Sequence, residues 1–271
     1  MLSVSLRAAR VSPESQVPPE DPIDDKPMPL LDHLIELRTR LLWSLVAFAV
    51  AFAVSYHFAG QIYVFLAEPL VKVMHARGQQ ATMVYTALYE QFLTQIKVAL
   101  FTAGFVSFPI VAIQIWLFVA PGLYRSEKRV LLPFLVATPV LFLAGAALAY
   151  YVVFPMAWRF FLSFQTTGNT GGVQITLMAK VSEYLALVMK LIFAFGVAFE
   201  LPVVITLLAK VGIVNSAALR KFRRFAYVGM FGLAAFITPP DAISMMSLAV
   251  PLVLLYEVSI VSARLVEPKE V

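Results

Sequence analysis

The sequence predicts an all-α, polytopic membrane protein with six kinked transmembrane helices, and three observations carry that prediction. Apolar residues make up 61% of the 271 and charged residues 14%, far from the soluble average of about half and a quarter. The apolar residues gather in runs near the length that spans a bilayer. Lysines and arginines concentrate in alternate connections, the pattern that orients a chain in a membrane. A chain of this length holds about six spans of roughly 20 residues and modest loops, with no room for a separate soluble domain. The lack of cysteine excludes disulfides, thiolate metal sites and cysteine nucleophiles. His33, His57 and His75 are too scattered for a metal motif, so neither metal nor cofactor is expected. No basic stripe with interleaved aromatics points to nucleic acid as a partner.

Residues 1–28 are rich in Ser, Pro, Asp and Glu and read as a solvated cytoplasmic tail, without the apolar core and cleavage site of a secretory signal. His33 to Arg40 reads as a short charged helix set before the first span, 41–56, which is about 24 Å long. From 58 to 91 the chain reads as a long loop containing an amphipathic piece around 61–75 with Glu68 and Pro69. Tyr85, Tyr89 and Phe92 then mark an interface. Span two, 92–119, contains Lys97 and Pro109, and a short polar connection leads to span three, 131–154, with Pro133 and Pro139. Proline within a span kinks it and frees carbonyls that need other donors. A loop over 155–181 has a glycine-rich tip at Gly168, Gly171 and Gly172. Span four, 182–209, contains Lys190, Glu200 and Pro202. A basic connection precedes span five, 225–237, which at about 20 Å is short for a hydrocarbon core of about 30 Å. Thr238-Pro239-Pro240-Asp241 turns the chain into span six, 242–261, with Pro251 and Glu257. One membrane domain, 29–264, and a short tail, 265–271, complete the division.

Residues 1–40, 120–130, 210–224 and 262–271 hold 15 lysines and arginines, against 4 in 58–91, 155–181 and 238–241. That excess places both termini in the cytoplasm.

Glu200, ten residues from Lys210, lies about 15 Å deep, near the bilayer middle. An acid there costs about 3 kcal/mol unless it faces water, protein or a partner, or is protonated, which favours a functional role. Lys190 is ten residues away on the same helix and badly placed to pair with it. Glu36 has two readings: an ordinary helix-surface pair with Arg40 at i,i+4, or a carboxylate offered beside lipid. Glu127 likewise reads as a first-turn acid favoured by the helix dipole or as a binding group. Both lie on the cytoplasmic side, one hairpin apart, and two such carboxylates suit a ligand with adjacent guanidinium groups. Arg223-Arg224 reads as an anchor set by positive charge on the inner side, and Asp241 as a helix N-cap.

Four motifs, His33-Leu34-Ile35-Glu36-Leu37-Arg38, Phe118-Val119-Ala120-Pro121-Gly122-Leu123-Tyr124, Phe199-Glu200-Leu201-Pro202 and Thr238-Pro239-Pro240-Asp241, together resemble the TatC family, the receptor subunit of the twin-arginine protein translocase. The likeness covers about Pro29 to Arg264. It implies a glove-like, concave set of six helices in the bacterial cytoplasmic (inner) membrane, without enzymatic activity, that binds twin-arginine signal peptides of folded proteins and is driven by the proton motive force. By that resemblance Glu36 and Glu127 receive the arginine pair, with Arg38, Phe118, Pro121 and Tyr124 in the same patch. Glu200 is the polar residue of the intramembrane pocket, Pro69 a structural position of the outer cap, and Asp241 belongs to a structural turn. The short fifth and sixth helices, around Thr238 and Met245, form the docking edge for the single-span TatA and TatB subunits in a multimeric complex surrounded by membrane lipid. Where some relatives carry a polar residue on the sixth helix, this chain has Met245 and Met246. The competing class is a secondary transporter of a small solute or ion coupled through Glu200, but the halves show no convincing repeat. An intramembrane enzyme lacks a nucleophile and base pair.

Overall fold

A computed structural model describes residues 30–119, 128–165 and 176–267. The described chain is helical apart from turns and one short parallel pairing of β1, Met83–Val84, with β2, Ala179–Lys180. Among the described residues, five stretches are long and apolar enough to cross a membrane: His33–His57, Glu90–Phe118, Pro133–Leu162, Val181–Lys210 and Ala242–Val266.

The stretch from His33 to Arg40 is not a separate helix. It continues without a break into the first apolar run as α1, Leu30–His57, because no proline or glycine interrupts it. The partly buried positions His33, Glu36, Arg40, Ser44, Ala47, Phe48 and Ala51 follow spacings of three and four. This stripe lies against α3, Glu90–Val119. Leu34, Leu37 and Leu41 point outward, 42% to 66% exposed. The helix therefore turns its polar stripe inward and its leucines out, the reverse of a soluble amphipathic helix, as lipid demands.

The amphipathic piece after His57 is α2, Ala59–His75, with Pro69 inside it. Pro69 has no N–H for the carbonyl of Phe65 four residues back, and the Tyr150 hydroxyl donates to that carbonyl at 2.7 Å. The two rings stack at 4.5 Å. One residue on, the Tyr184 hydroxyl donates to the Leu66 carbonyl at 3.0 Å. Tyr150 thus supplies what the proline withholds, and Tyr184 adds a second tie to the same turn. Beside them Lys72, 2.7 Å from Glu68, hydrogen-bonds that carboxylate and holds it below its usual range. Tyr150→Phe should destabilise the protein by about 1 kcal/mol by removing the donor to this part-buried carbonyl. In a Pro69→Ala background, which restores the N–H, most of that cost should vanish, as thermal unfolding of the double-mutant cycle would register.

Helix α4, Lys128–Leu148, runs through a π turn at Ala149–Val153 into α5, Phe154–Leu162. The helix thus carries on past Pro155, where the sequence suggests a loop. The π turn lies directly before the proline, with the Phe154 N–H bonded to the Ala149 carbonyl five residues back. Arg77, in the turn after α2, caps the end of α5 by donating to the carbonyls of Arg159, at 3.0 Å, and Leu162.

The fourth stretch breaks at Phe199-Glu200 into α6, Val181–Ala198, and α7, Leu201–Lys210, with Pro202 in the first turn of α7. After the short α8, Ser216–Lys221, come α9, Arg223–Ile237, and α10, Ala242–Val266. The predicted fifth span falls in α9, whose 15 residues reach about 22 Å. Asp241 is the N-cap of α10, its carboxylate accepting from the Ser244 N–H at 2.7 Å. Lys190 donates to the Phe236 carbonyl at 3.3 Å, which occupies it at the end of α9 and away from Glu200. Arg223 pairs with Glu257 at 2.5 Å, and Tyr227 donates to the same carboxylate. Arg223 therefore fastens α9 to α10 besides carrying positive charge. The core centres on α6, which carries Leu185, Val188 and Phe195 and packs against α2, α3, α4 and α5.

Candidate functional site

Glu36 sits on the buried stripe of α1, where the helix meets the far end of α3. Its carboxylate accepts from Arg40 Nη2 at 3.2 Å, and Arg40 Nη1 donates to Gln114 Oε1 of α3, also at 3.2 Å. One turn away the His33 ring stacks on Phe118 at 4.3 Å and 17°. Two helices thus present one acid, one guanidinium, one amide and a stacked aromatic pair in a single seam. Glu36 keeps 19% of its side chain exposed and Arg40 31%, so the seam is reachable from outside. Arg38 is exposed and makes no part of this chain of contacts. Glu127, Pro121 and Tyr124 lie outside the described residues.

Glu200 forms a second site. It is buried, 7% exposed, and neither carboxylate oxygen completes a hydrogen bond, although the Thr138 side chain of α4 faces it. Trp116 Nε1 donates to Thr138 Oγ1 at 3.1 Å, leaving the hydroxyl proton of Thr138 available. Helix α3 therefore serves both sites: Gln114 and Phe118 share one face toward α1, while Trp116 reaches the neighbourhood of Glu200.

The remaining candidates lie elsewhere. Thr238 is buried and donates to the Ala234 carbonyl at 2.9 Å, closing the end of α9. Met245 packs on the core. The large apolar side chains exposed at this turn are Phe236, 82% exposed, and Met246, 47%. Pro69 belongs to α2, which follows the end of α1 remote from Glu36. Sequence reasoning missed Gln114 and the contact of His33 with Phe118. A glutamine inside an apolar run, one helical turn from Phe118, was the available signal.

The long apolar helices and the broken, acid-bearing fourth stretch define a multi-pass membrane protein. The description of a Sec-independent protein translocase protein (TatC) fits residues 32–251. The TatC protein of Magnetococcus marinus is 48% identical over 89% of this chain and 86% of its own length. That of Escherichia coli is 39% identical over 87% and 88%. A crystal structure of the twin arginine translocase receptor TatC superposes with a TM-score of 0.73 at 34% identity, covering 86% of this chain and 99% of that one. The chain belongs to the TatC family of Sec-independent protein translocase proteins, transport components rather than enzymes.

Proposed function

We propose that this chain is the receptor of a twin-arginine translocase, taking the arginine pair of signal peptides on folded cargo at Glu36. The carrying observation is the Glu36 carboxylate, partly exposed at the seam of α1 and α3 with an aromatic pair beside it. A guanidinium makes a charge-assisted, two-pronged bond to such a group, and apolar surface alongside suits the hydrophobic part of an export signal. The likeness to a crystallised twin arginine translocase receptor supports the reading. Glu127, Pro121 and Tyr124 complete the patch by family resemblance, and Arg38 lies at its edge.

In this reading one membrane domain, 29–264, crosses the bacterial inner membrane six times. Both termini face the cytoplasm, as the lysine and arginine distribution supports, and α9 is a short fifth span. Glu200 faces a concave pocket and serves a later step of transport driven by the proton motive force. The turn around Thr238 and Met245, with Phe236 and Met246 outward, is the docking edge for single-span TatA and TatB subunits in a multimeric complex. Close packing of apolar side chains suffices there. Copurification tests the class: a tagged chain should retain small single-span subunits and a twin-arginine peptide. Peptide retention should be lost when the two arginines become lysines, which keep the charge without the fork. Equal retention of the lysine peptide would refute the reading.

A further inference from the structure

We propose that Arg40 is an internal stand-in for the incoming guanidinium, and so sets the threshold that a ligand must meet at Glu36. This rests on the reading of Glu36 as the arginine acceptor. Arg40 offers Glu36 the same chemical group that the ligand would bring, and it holds only one carboxylate oxygen, at 3.2 Å. A strong charge-assisted bond is shorter, about 2.7–2.9 Å, and often two-pronged. Both side chains are partly exposed. The contact is therefore one that a better-placed guanidinium displaces.

Gln114 makes the displacement reversible. It accepts from the other Arg40 nitrogen at 3.2 Å, so an Arg40 pushed off Glu36 keeps a partner and does not have to be expelled into lipid or water. An ordinary i,i+4 pair needs no such third group from a helix 74 residues further along the chain. Competition of this kind lowers apparent affinity by the fraction of Glu36 that is free. The factor is the same for every ligand, so a weak one is the first to drop below useful occupancy: an arginine regains two bonds on displacing Arg40, whereas a lysine cannot reproduce the fork.

The test uses the full chain in lipid nanodiscs and a fluorescent peptide bearing Arg-Arg before an apolar run. Arg40→Gln removes the competitor and should tighten binding about threefold, the scale set by a partly exposed pair. Gln114→Ala deprives Arg40 of its alternative and should weaken binding about twofold. Opposite signs are the signature, since a plain staple between α1 and α3 would make both variants weaker. Arg40→Lys, which keeps the charge but cannot span both partners, should tighten binding as well and decides the question if Arg40→Gln does not fold. In Glu36→Gln the gain from Arg40→Gln should disappear. Weaker or unchanged binding in both Arg40 variants overturns the proposal while leaving the Glu36 reading intact. Unchanged binding in Glu36→Gln alone overturns the Glu36 reading, and the stand-in with it.

Discussion

Gly145→Ala is expected to destabilise the protein by about 1–3 kcal/mol, the usual cost of forcing a methyl group into a packed interior, and more if the helices separate. A Cβ at Gly145 in α4 would press on the Phe195 carbonyl oxygen of α6 and stand 2.8 Å from Phe199 Cγ. The first of these is backbone and has no rotamer by which to retreat. The contact is repeated from the other side, where a Cβ at Gly196 would meet the Phe142 ring at 2.5 Å. Phe142 is fully buried and stacked on Phe108 at 3.8 Å, so it cannot swing away. Small residues at a helix crossing let backbones approach, which is how helices associate where water provides no hydrophobic drive. Gly232→Ala, where a Cβ meets nothing within 4 Å, is the matched control and should leave thermal unfolding in detergent unlowered, or raised slightly by alanine's better helix propensity. Because Phe199 adjoins Glu200, the Gly145 variant should also displace the buried acid.

Glu200→Leu should move stability and function in opposite directions. A carboxylate buried with only the Thr138 hydroxyl facing it carries a cost of up to about 3 kcal/mol inside a membrane-spanning helix. Leucine of similar size removes it, so the variant should unfold at higher temperature, by about 1–3 kcal/mol after imperfect repacking. Export of a folded reporter should fall at least about tenfold, while peptide binding at the Glu36 seam stays near the wild-type level. Chains keep such an expensive group for use rather than for stability. Full export by the leucine variant would remove Glu200 from the transport step.

Much of this was legible in the sequence because lipid imposes a simple grammar. Apolar length, proline positions and the side on which lysine and arginine fall are all one-dimensional signals. Glu200 stood out for the same reason, as a charge where the solvent forbids one. What the sequence concealed depends on helices meeting. The stripe from His33 to Arg40 has the right spacing, but nothing in α1 says that its polar face turns toward Gln114 and Phe118. Gly145 and Gly196 are unremarked in the pattern until the crossing brings them against Phe195 and Phe142. Pro69 was visible within the amphipathic piece, yet the donor for the carbonyl it leaves free comes from Tyr150, 85 residues from Phe65. Pro155 ended a span by rule, yet the helix carries on through it, with a π turn just before. Glu257 looked like a stray charge near the end of a span until Arg223 and Tyr227 closed on it.

The central claim is that the Glu36 carboxylate receives the ligand's arginine, and equilibrium binding of paired peptides tests it most directly. Wild-type chain in nanodiscs should bind the Arg-Arg peptide well above its Lys-Lys counterpart. Glu36→Gln should weaken the Arg-Arg peptide by about 10-fold or more, the worth of a charge-assisted bond, and shrink the gap between the two peptides. Identical affinities and an undiminished gap in Glu36→Gln would contradict the account.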